Sequence, residues 1–186
     1  MMPEVLVEGT RGSFVECRHR GSVVVTDGQG KIIAYAGDPE LVTYIRSAAK
    51  PFQAMNVIFS GAFEKFDFTE KELAIMCSSH YGEEFHREVI RGILKKIGLS
   101  HNDLKCGTPL LISGTYRDKQ LWEHLSIDET NSDCSGKHSG FLAVCRAKGY
   151  SIDSYLSEDH PMQKEILHII SKMCNVAEEV ITIGID

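Results

Sequence analysis

The chain reads as a mixed α/β protein, with β-hairpins over residues 1–45 and a mainly helical region over 46–179. Three observations carry this. The apolar run Ser22-Val23-Val24-Val25-Thr26 and its partner Lys31-Ile32-Ile33-Ala34-Tyr35-Ala36 are rich in β-branched residues and enclose a loop with two glycines, Asp27-Gly28-Gln29-Gly30, the pattern of a hairpin. Gly37-Asp38-Pro39 then interrupts any strand. Beyond that point the chain changes character, and helix start and stop signals recur.

Taken in order, residues 4–9 and 13–19 are predicted strands that feed the hairpin. A helix is predicted from Ser47 to Ser60, because serine is a good helix opener and Gly61 a good stop. Pro51 opposes its first turn, since proline disfavours helical φ/ψ in the residue before it, here Lys50. Thr69-x-x-Glu72 has the form of a capping box and opens the next helix. A third spans about 84–97, ends at Gly98, and carries Lys95 and Lys96 at its negative dipole end. Further helices are predicted near 116–125, 137–148 and 161–173, the last opening on Pro161. Residues 180–186 read as the start of a strand with nothing to close it, so the chain is expected to be the N-terminal part of a longer unit.

Composition narrows the function classes. The 186 residues are 42% hydrophobic and 25% charged, which is ordinary for a soluble globular chain. The net charge is −6 and the basic residues are scattered, so no nucleic-acid-tracking surface is expected. No apolar run approaches the roughly 18 residues that a membrane helix requires, and the N-terminus lacks the basic and apolar regions of a secretion signal. The six cysteines, Cys17, Cys77, Cys106, Cys134, Cys145 and Cys174, form no Cys-x-x-Cys pair. Reduced thiols in a cytoplasmic protein are the expectation.

Three clusters carry chemistry. In Ser47-Ala48-Ala49-Lys50, a spacing of three residues brings serine and lysine to one helix face. A serine hydroxyl needs a neighbouring base to become a nucleophile. A lysine serves only when its surroundings disfavour the ammonium form, and burial or a second cation such as Arg46 does that. Cys77-Ser78-Ser79-His80 follows the Thr69 helix and offers a second serine able to relay a proton or attack directly. Cys134-Ser135-Gly136-Lys137-His138 leads into a helix. It lacks the longer spacing of a phosphate-binding loop. A Cys134/His138 nucleophilic pair, a share of a metal site and a simple capped helix start all remain open.

Together, His19-Arg20-Gly21-Ser22-Val23, Gly37-Asp38-Pro39, Arg46-Ser47-Ala48-Ala49-Lys50-Pro51-Phe52-Gln53-Ala54, Ser78-Ser79-His80-Tyr81-Gly82-Glu83, Cys134-Ser135-Gly136-Lys137-His138 and Asp159-His160-Pro161 resemble the blocks of the asparaginase II family. The resemblance spans nearly the whole chain. It implies a fold similar to serine β-lactamases and penicillin-binding proteins, and hydrolysis of L-asparagine to aspartate and ammonia through two serine–lysine pairs. Ser47 with Lys50 looks like one pair and Ser79 like the serine of the other, whose lysine would lie beyond residue 186. Arg46 and Asp186 match substrate-binding positions, and Cys134 and Lys137 match two ligands of a zinc ion, a further cysteine ligand being expected after Asp186. Ser132-Asp133 stands where the family usually has Asn-Asn.

On this reading the partners are a small-molecule substrate, L-asparagine, together with a homo-oligomer or a complementing C-terminal polypeptide, and neither nucleic acid nor membrane. The isolated chain is expected to release negligible ammonia without the second lysine. Two alternatives stand beside it. One is a catalytically inactive fragment serving as a folding or binding module. The other is a serine acyl enzyme related to β-lactamases and penicillin-binding proteins, which share Ser-x-x-Lys; Ser132-Asp133 echoes their Ser-Asp-Asn, but residue 134 is cysteine and no Lys-Thr-Gly follows.

Overall fold

The computed structural model describes residues 3–107, 114, 118, 122–123 and 126–184. It divides into two compact units, residues 1–44 and 45–186.

The first unit holds two antiparallel hairpins in two separate sheets. Strand β1 (Glu4–Arg11) pairs with β2 (Phe14–Gly21), with Glu8 opposite Arg18. Strand β3 (Val23–Thr26) pairs with β4 (Ile32–Ala36). The predicted first two strands therefore form a sheet of their own and do not extend the second hairpin. The β3–β4 loop is tied by Asp27, whose Oδ1 accepts from the amides of Gln29 and Lys31, both at 2.9 Å. Gly37 ends β4 at φ +79°, and a side chain there would meet the Gly21 carbonyl at 2.6 Å, so glycine is required.

The second unit is helical. A 3-10 turn (Arg46–Ala49) runs directly into α1 (Lys50–Phe59), followed by α2 (Ala62–Lys65), α3 (Glu70–Met76), α4 (Glu84–Lys96), α5 (Ser135–Lys148) and α6 (Pro161–Cys174). The predicted capping box forms: the Thr69 hydroxyl accepts from the Glu72 amide, and the Glu72 carboxylate accepts from the Thr69 amide at 2.7 Å. Gly61 and Gly98 take left-handed φ of +73° and +69° at the ends of α1 and α4. The helix predicted near 116–125 lies largely outside the described residues. Residues 178–180 form a 3-10 turn and 181–184 belong to no strand, a correction to the strand predicted from 180; the remainder of that segment lies outside the described residues.

Helix α5 is the axis of this unit. Phe141, Leu142, Ala143, Val144 and Cys145 are all buried, so consecutive residues face inward on every side, as a central helix requires. It packs against α1, α2, α3, α4 and α6. Around it lie Val57, Met76, Ile90, Ile93, Leu94 and Met162, each fully buried. Close approach is made possible by glycine: a methyl at Gly136 would sit 2.3 Å from the Ile75 carbonyl oxygen of α3. The first turn of α5 is thereby held against the end of α3, from which the segment bearing Ser78 and Ser79 emerges.

Candidate active site

Ser47 and Lys50 stand where the 3-10 turn becomes α1. Arg46, at the head of that turn, takes φ +50°, a left-handed conformation that costs a non-glycine residue about 1–2 kcal/mol. Lys50 is helical (φ −58°, ψ −41°) in spite of Pro51. Proline is accepted there because it lies in the first turn, where its missing N–H would have no helical acceptor.

The two side chains diverge. Ser47 is exposed, whereas Lys50 is only 3% exposed. Lys50 Nζ donates to Ser79 Oγ at 2.7 Å, to the Ser78 carbonyl at 3.3 Å and to the Asp133 carbonyl at 3.4 Å. An ammonium has three N–H groups, and these are three acceptors. Ser79 Oγ in turn lies 3.2 Å from Ser47 Oγ. The structure thus joins Lys50 to Ser79 directly and to Ser47 through it. The expected direct Ser47–Lys50 pair is replaced by a chain of three, because the lysine stem turns inward toward two carbonyls rather than back along its own helix.

The loop behind this chain is tightly built. The His80 amide donates to the Asp133 carbonyl at 3.3 Å, the same oxygen that Lys50 uses. The buried His80 ring bridges Gly82 and Ser135. Burial pushes the His80 pKa down to about 4, assisted by His86 and Lys50 and opposed by Asp133. His138 lies one turn along α5 from Cys134. Its Nδ1 meets the Tyr155 hydroxyl at 2.8 Å, and that hydroxyl accepts from the Lys105 amide at 2.7 Å. Burial, then Lys137 and Lys50, take its pKa down to about 3.

The metal expectation fares differently. Cys134 occupies the N-cap of α5 as a free, half-buried thiol, and the Lys137 ammonium lies 5.7 Å from the centre of the Phe141 ring. Among the described residues no group of three His, Cys, Asp or Glu is arranged to hold a metal. Two donors do not fill the four positions of a zinc ion, so the described residues do not by themselves fit one. No hydrogen bond joins the Cys134 and His138 side chains among the described residues, and His138 Nδ1 is engaged by Tyr155. Asp186 lies outside the described residues.

Sequence reasoning missed the Asp133 and Ser78 carbonyls, because any residue supplies a carbonyl. The adjacency of Ser79 and His80 is visible in the sequence, but neighbouring side chains often point apart, so adjacency alone assigns His80 no role.

A hydroxyl within hydrogen-bond reach of a buried amine is an arrangement able to activate a nucleophile. The family model described as L-asparaginase II matches residues 7–186, and the chain belongs to that family. Membership suggests an amidohydrolase with a small-molecule substrate, asparagine. No curated protein matches the chain. No helix among the described residues is long and apolar enough to cross a membrane.

Proposed function

We propose that the protein hydrolyses the side-chain amide of L-asparagine through an acyl-serine intermediate, with Ser47 as nucleophile, Ser79 as proton relay and Lys50 as base. The observation that carries this is the donor chemistry around Lys50. A neutral amine has two N–H groups and one lone pair. Of the three groups around Nζ, the Ser78 and Asp133 carbonyls only accept, while the Ser79 hydroxyl can accept or donate. The two carbonyls take the amine's two N–H groups, so its lone pair is directed at Ser79.

The steps then balance. The Ser47 proton passes to Ser79 Oγ as the Ser79 proton passes to Lys50, and Ser47 Oγ bonds to the amide carbon. The Ala48 and Lys50 amides are already taken by the Ile45 and Ser47 carbonyls, so the oxyanion draws on other donors of the site. Lys50 returns the proton through Ser79 to the departing nitrogen, the C–N bond breaks and ammonia leaves. Water enters by the same route and hydrolyses the ester. Arg46, beside Ser47, supplies a guanidinium for a substrate carboxylate, and Asp186 a carboxylate for its ammonium. A fold of the β-lactamase and penicillin-binding type belongs to the same proposal, supported by Ser-x-x-Lys at the opening of a helix that follows a β-rich segment.

Acylation is tested apart from turnover. An activated aryl ester of aspartate should acylate the peptide containing Ser47, and Lys50→Met, which keeps bulk without a proton acceptor, should slow labelling about 100-fold or more. Labelling that survives Lys50→Met, or that maps to Ser79, overturns the assignment.

A further inference from the structure

The turn that carries Ser79 is fastened to the loop before α5 by a histidine whose two ring nitrogens are both committed. The Gly82 amide donates to His80 Nδ1 at 3.1 Å. That nitrogen must therefore be an unprotonated acceptor, and the ring proton of the neutral imidazole lies on Nε2. Nε2 faces Ser135 Oγ at 3.1 Å. The Ser135 hydroxyl has a single proton, and it is taken by main-chain carbonyls, Ser132 O at 2.8 Å and Thr130 O at 3.1 Å. Only a lone pair of Ser135 is left for His80, so Nε2–H is the donor. Two independent constraints, one at each ring nitrogen, require the same tautomer.

This bond lies in a fully buried seam. His80 is 5% exposed and Ser135 0%. Beside it the Gly82 carbonyl accepts from Asn131 Nδ2 at 3.0 Å. Gly82 itself takes φ +68°, and a side chain there would meet the Asn131 carbonyl at 2.5 Å. The seam joins residues 78–82 to residues 130–135, the two segments that supply every acceptor of Lys50.

We propose that His80 is a positioning residue for the Ser79–Lys50 pair: its Nε2–H bond to Ser135 latches the Ser79 turn onto the loop before α5 and so fixes the distance between the relay hydroxyl and the base. The role rests on the acyl-transfer reading above for its catalytic consequence, but the latch itself is a property of the fold. No proton moves to or from His80 in the reaction. Its contribution is to keep Ser79 Oγ within reach of Nζ while both main-chain carbonyls stay on the other two N–H positions. A relay displaced by about 1 Å loses on the order of 100-fold in rate.

The two ring nitrogens can be tested separately, because amide side chains mimic one each. His80→Asn places an acceptor where Nδ1 stood, keeping the Gly82 bond and losing the Ser135 bond. His80→Gln places an N–H where Nε2 stood, keeping the Ser135 bond and losing the Gly82 bond. With the activated aryl ester of aspartate as probe, H80N is expected to slow the maximal rate of Ser47 labelling about 10- to 100-fold, with the half-saturating ester concentration within about twofold. H80Q should recover most of that loss. Ser135→Ala should lose at least as much as H80N, because it also frees the Thr130 and Ser132 carbonyls, and the H80N/S135A double variant should be no worse than Ser135→Ala alone.

Amide hydrogen exchange at positions 78 and 80, whose amides donate to the Ile75 and Asp133 carbonyls, gives a second reading that needs no turnover. It should be faster in H80N and S135A than in H80Q. Equal labelling rates in H80N and H80Q, or additive losses in the double variant, overturn the positioning role. Equal exchange in H80N and H80Q overturns the latch. A wild-type protein that the ester does not label at Ser47, but whose exchange still separates H80N from H80Q, defeats the proposed reaction and leaves the latch standing.

Discussion

Replacing Gly136 by alanine should damage stability and the candidate site together. The added methyl would lie 2.3 Å from the Ile75 carbonyl oxygen, 2.9 Å from its carbon and 3.0 Å from Ile75 Cγ1. Unstrained contacts of this kind sit at roughly 3.3 Å or more, so α5 and the end of α3 must separate by about 1 Å. The obstacle is backbone and cannot rotate away. Overpacking of this sort costs about 1–3 kcal/mol. Against it stands the better helix propensity of alanine, at most about 1 kcal/mol and less in a first turn.

The displaced atom also matters for the site. The Ile75 carbonyl accepts from the Ser78 amide and from Ser78 Oγ, both at 3.3 Å. Ser78 then presents its own carbonyl to Lys50, and Ser79 follows. A shift of about 1 Å therefore reaches the Ser79–Lys50 bond, where the expected loss is on the order of 100-fold in acylation rate. The assay is a urea midpoint together with Ser47 acylation normalised to folded protein. Gly149→Ala is the control. It lies at φ +71° with nothing within 4 Å of the added methyl, so it should lose about 1 kcal/mol to backbone strain and nothing in acylation rate. A G136A protein with an unchanged midpoint and unchanged acylation would show that this contact transmits nothing.

Other outcomes follow from the same geometry. His80 is depressed to about 4 in the folded state against 6.5 for a free imidazole, so between those values the unfolded chain binds the extra proton. Stability should thus fall as pH drops, by about 2 kcal/mol from pH 7 to 5 for this group, and the urea midpoint of H80Q should change less over that range. Arg87 is 2% exposed and bonds Glu84, Asp128, Thr130 and the Ser126 carbonyl, so Arg87→Met should lower the unfolding free energy by about 3 kcal/mol or more. With two candidate donors, Cys134 and Lys137, zinc should be held weakly and more weakly still at low pH, because lysine ligates only when neutral. Stoichiometric zinc that survives dialysis against a chelator would contradict this and point to His138.

Local signals were legible where local physics decides. Thr69 and Glu72 lie three residues apart, and the capping box they predict forms without help from the rest of the chain. Pro161 opens α6 as expected, although the cap comes from His160, whose Nδ1 accepts from the Met162 amide at 3.2 Å. The 22–36 hairpin follows from its β-branched runs and glycine loop. The placing of the first two strands in a separate sheet did not, since nothing in a strand's own residues names its neighbour. The same limit applies to Lys50. Ser47 is close in sequence and shares a turn with it, so spacing paired the two. Its actual acceptors come from residues 28, 29 and 83 positions away.

Two of those three acceptors are main-chain carbonyls, and this decides where the site can be read in the sequence. Substituting the side chain of Ser78 or Asp133 leaves the carbonyl in place, so neither residue type advertises its role. What must be specified is the path of two short loops, and path is written in the residues that leave no alternative. Gly82 is one, because its left-handed φ and its approach to the Asn131 carbonyl exclude any side chain. Asn131 is another, since it donates to Gly82 and, through Oδ1, accepts from the Asp128 amide at 3.0 Å. His80 and Ser135 complete the set. The informative positions for a buried lysine of this kind are therefore the imidazole, glycine and amide that shape its carbonyl cradle: His80 and Gly82 stand shortly beyond Ser79, whereas Asn131 lies far from either serine in sequence, just before Asp133.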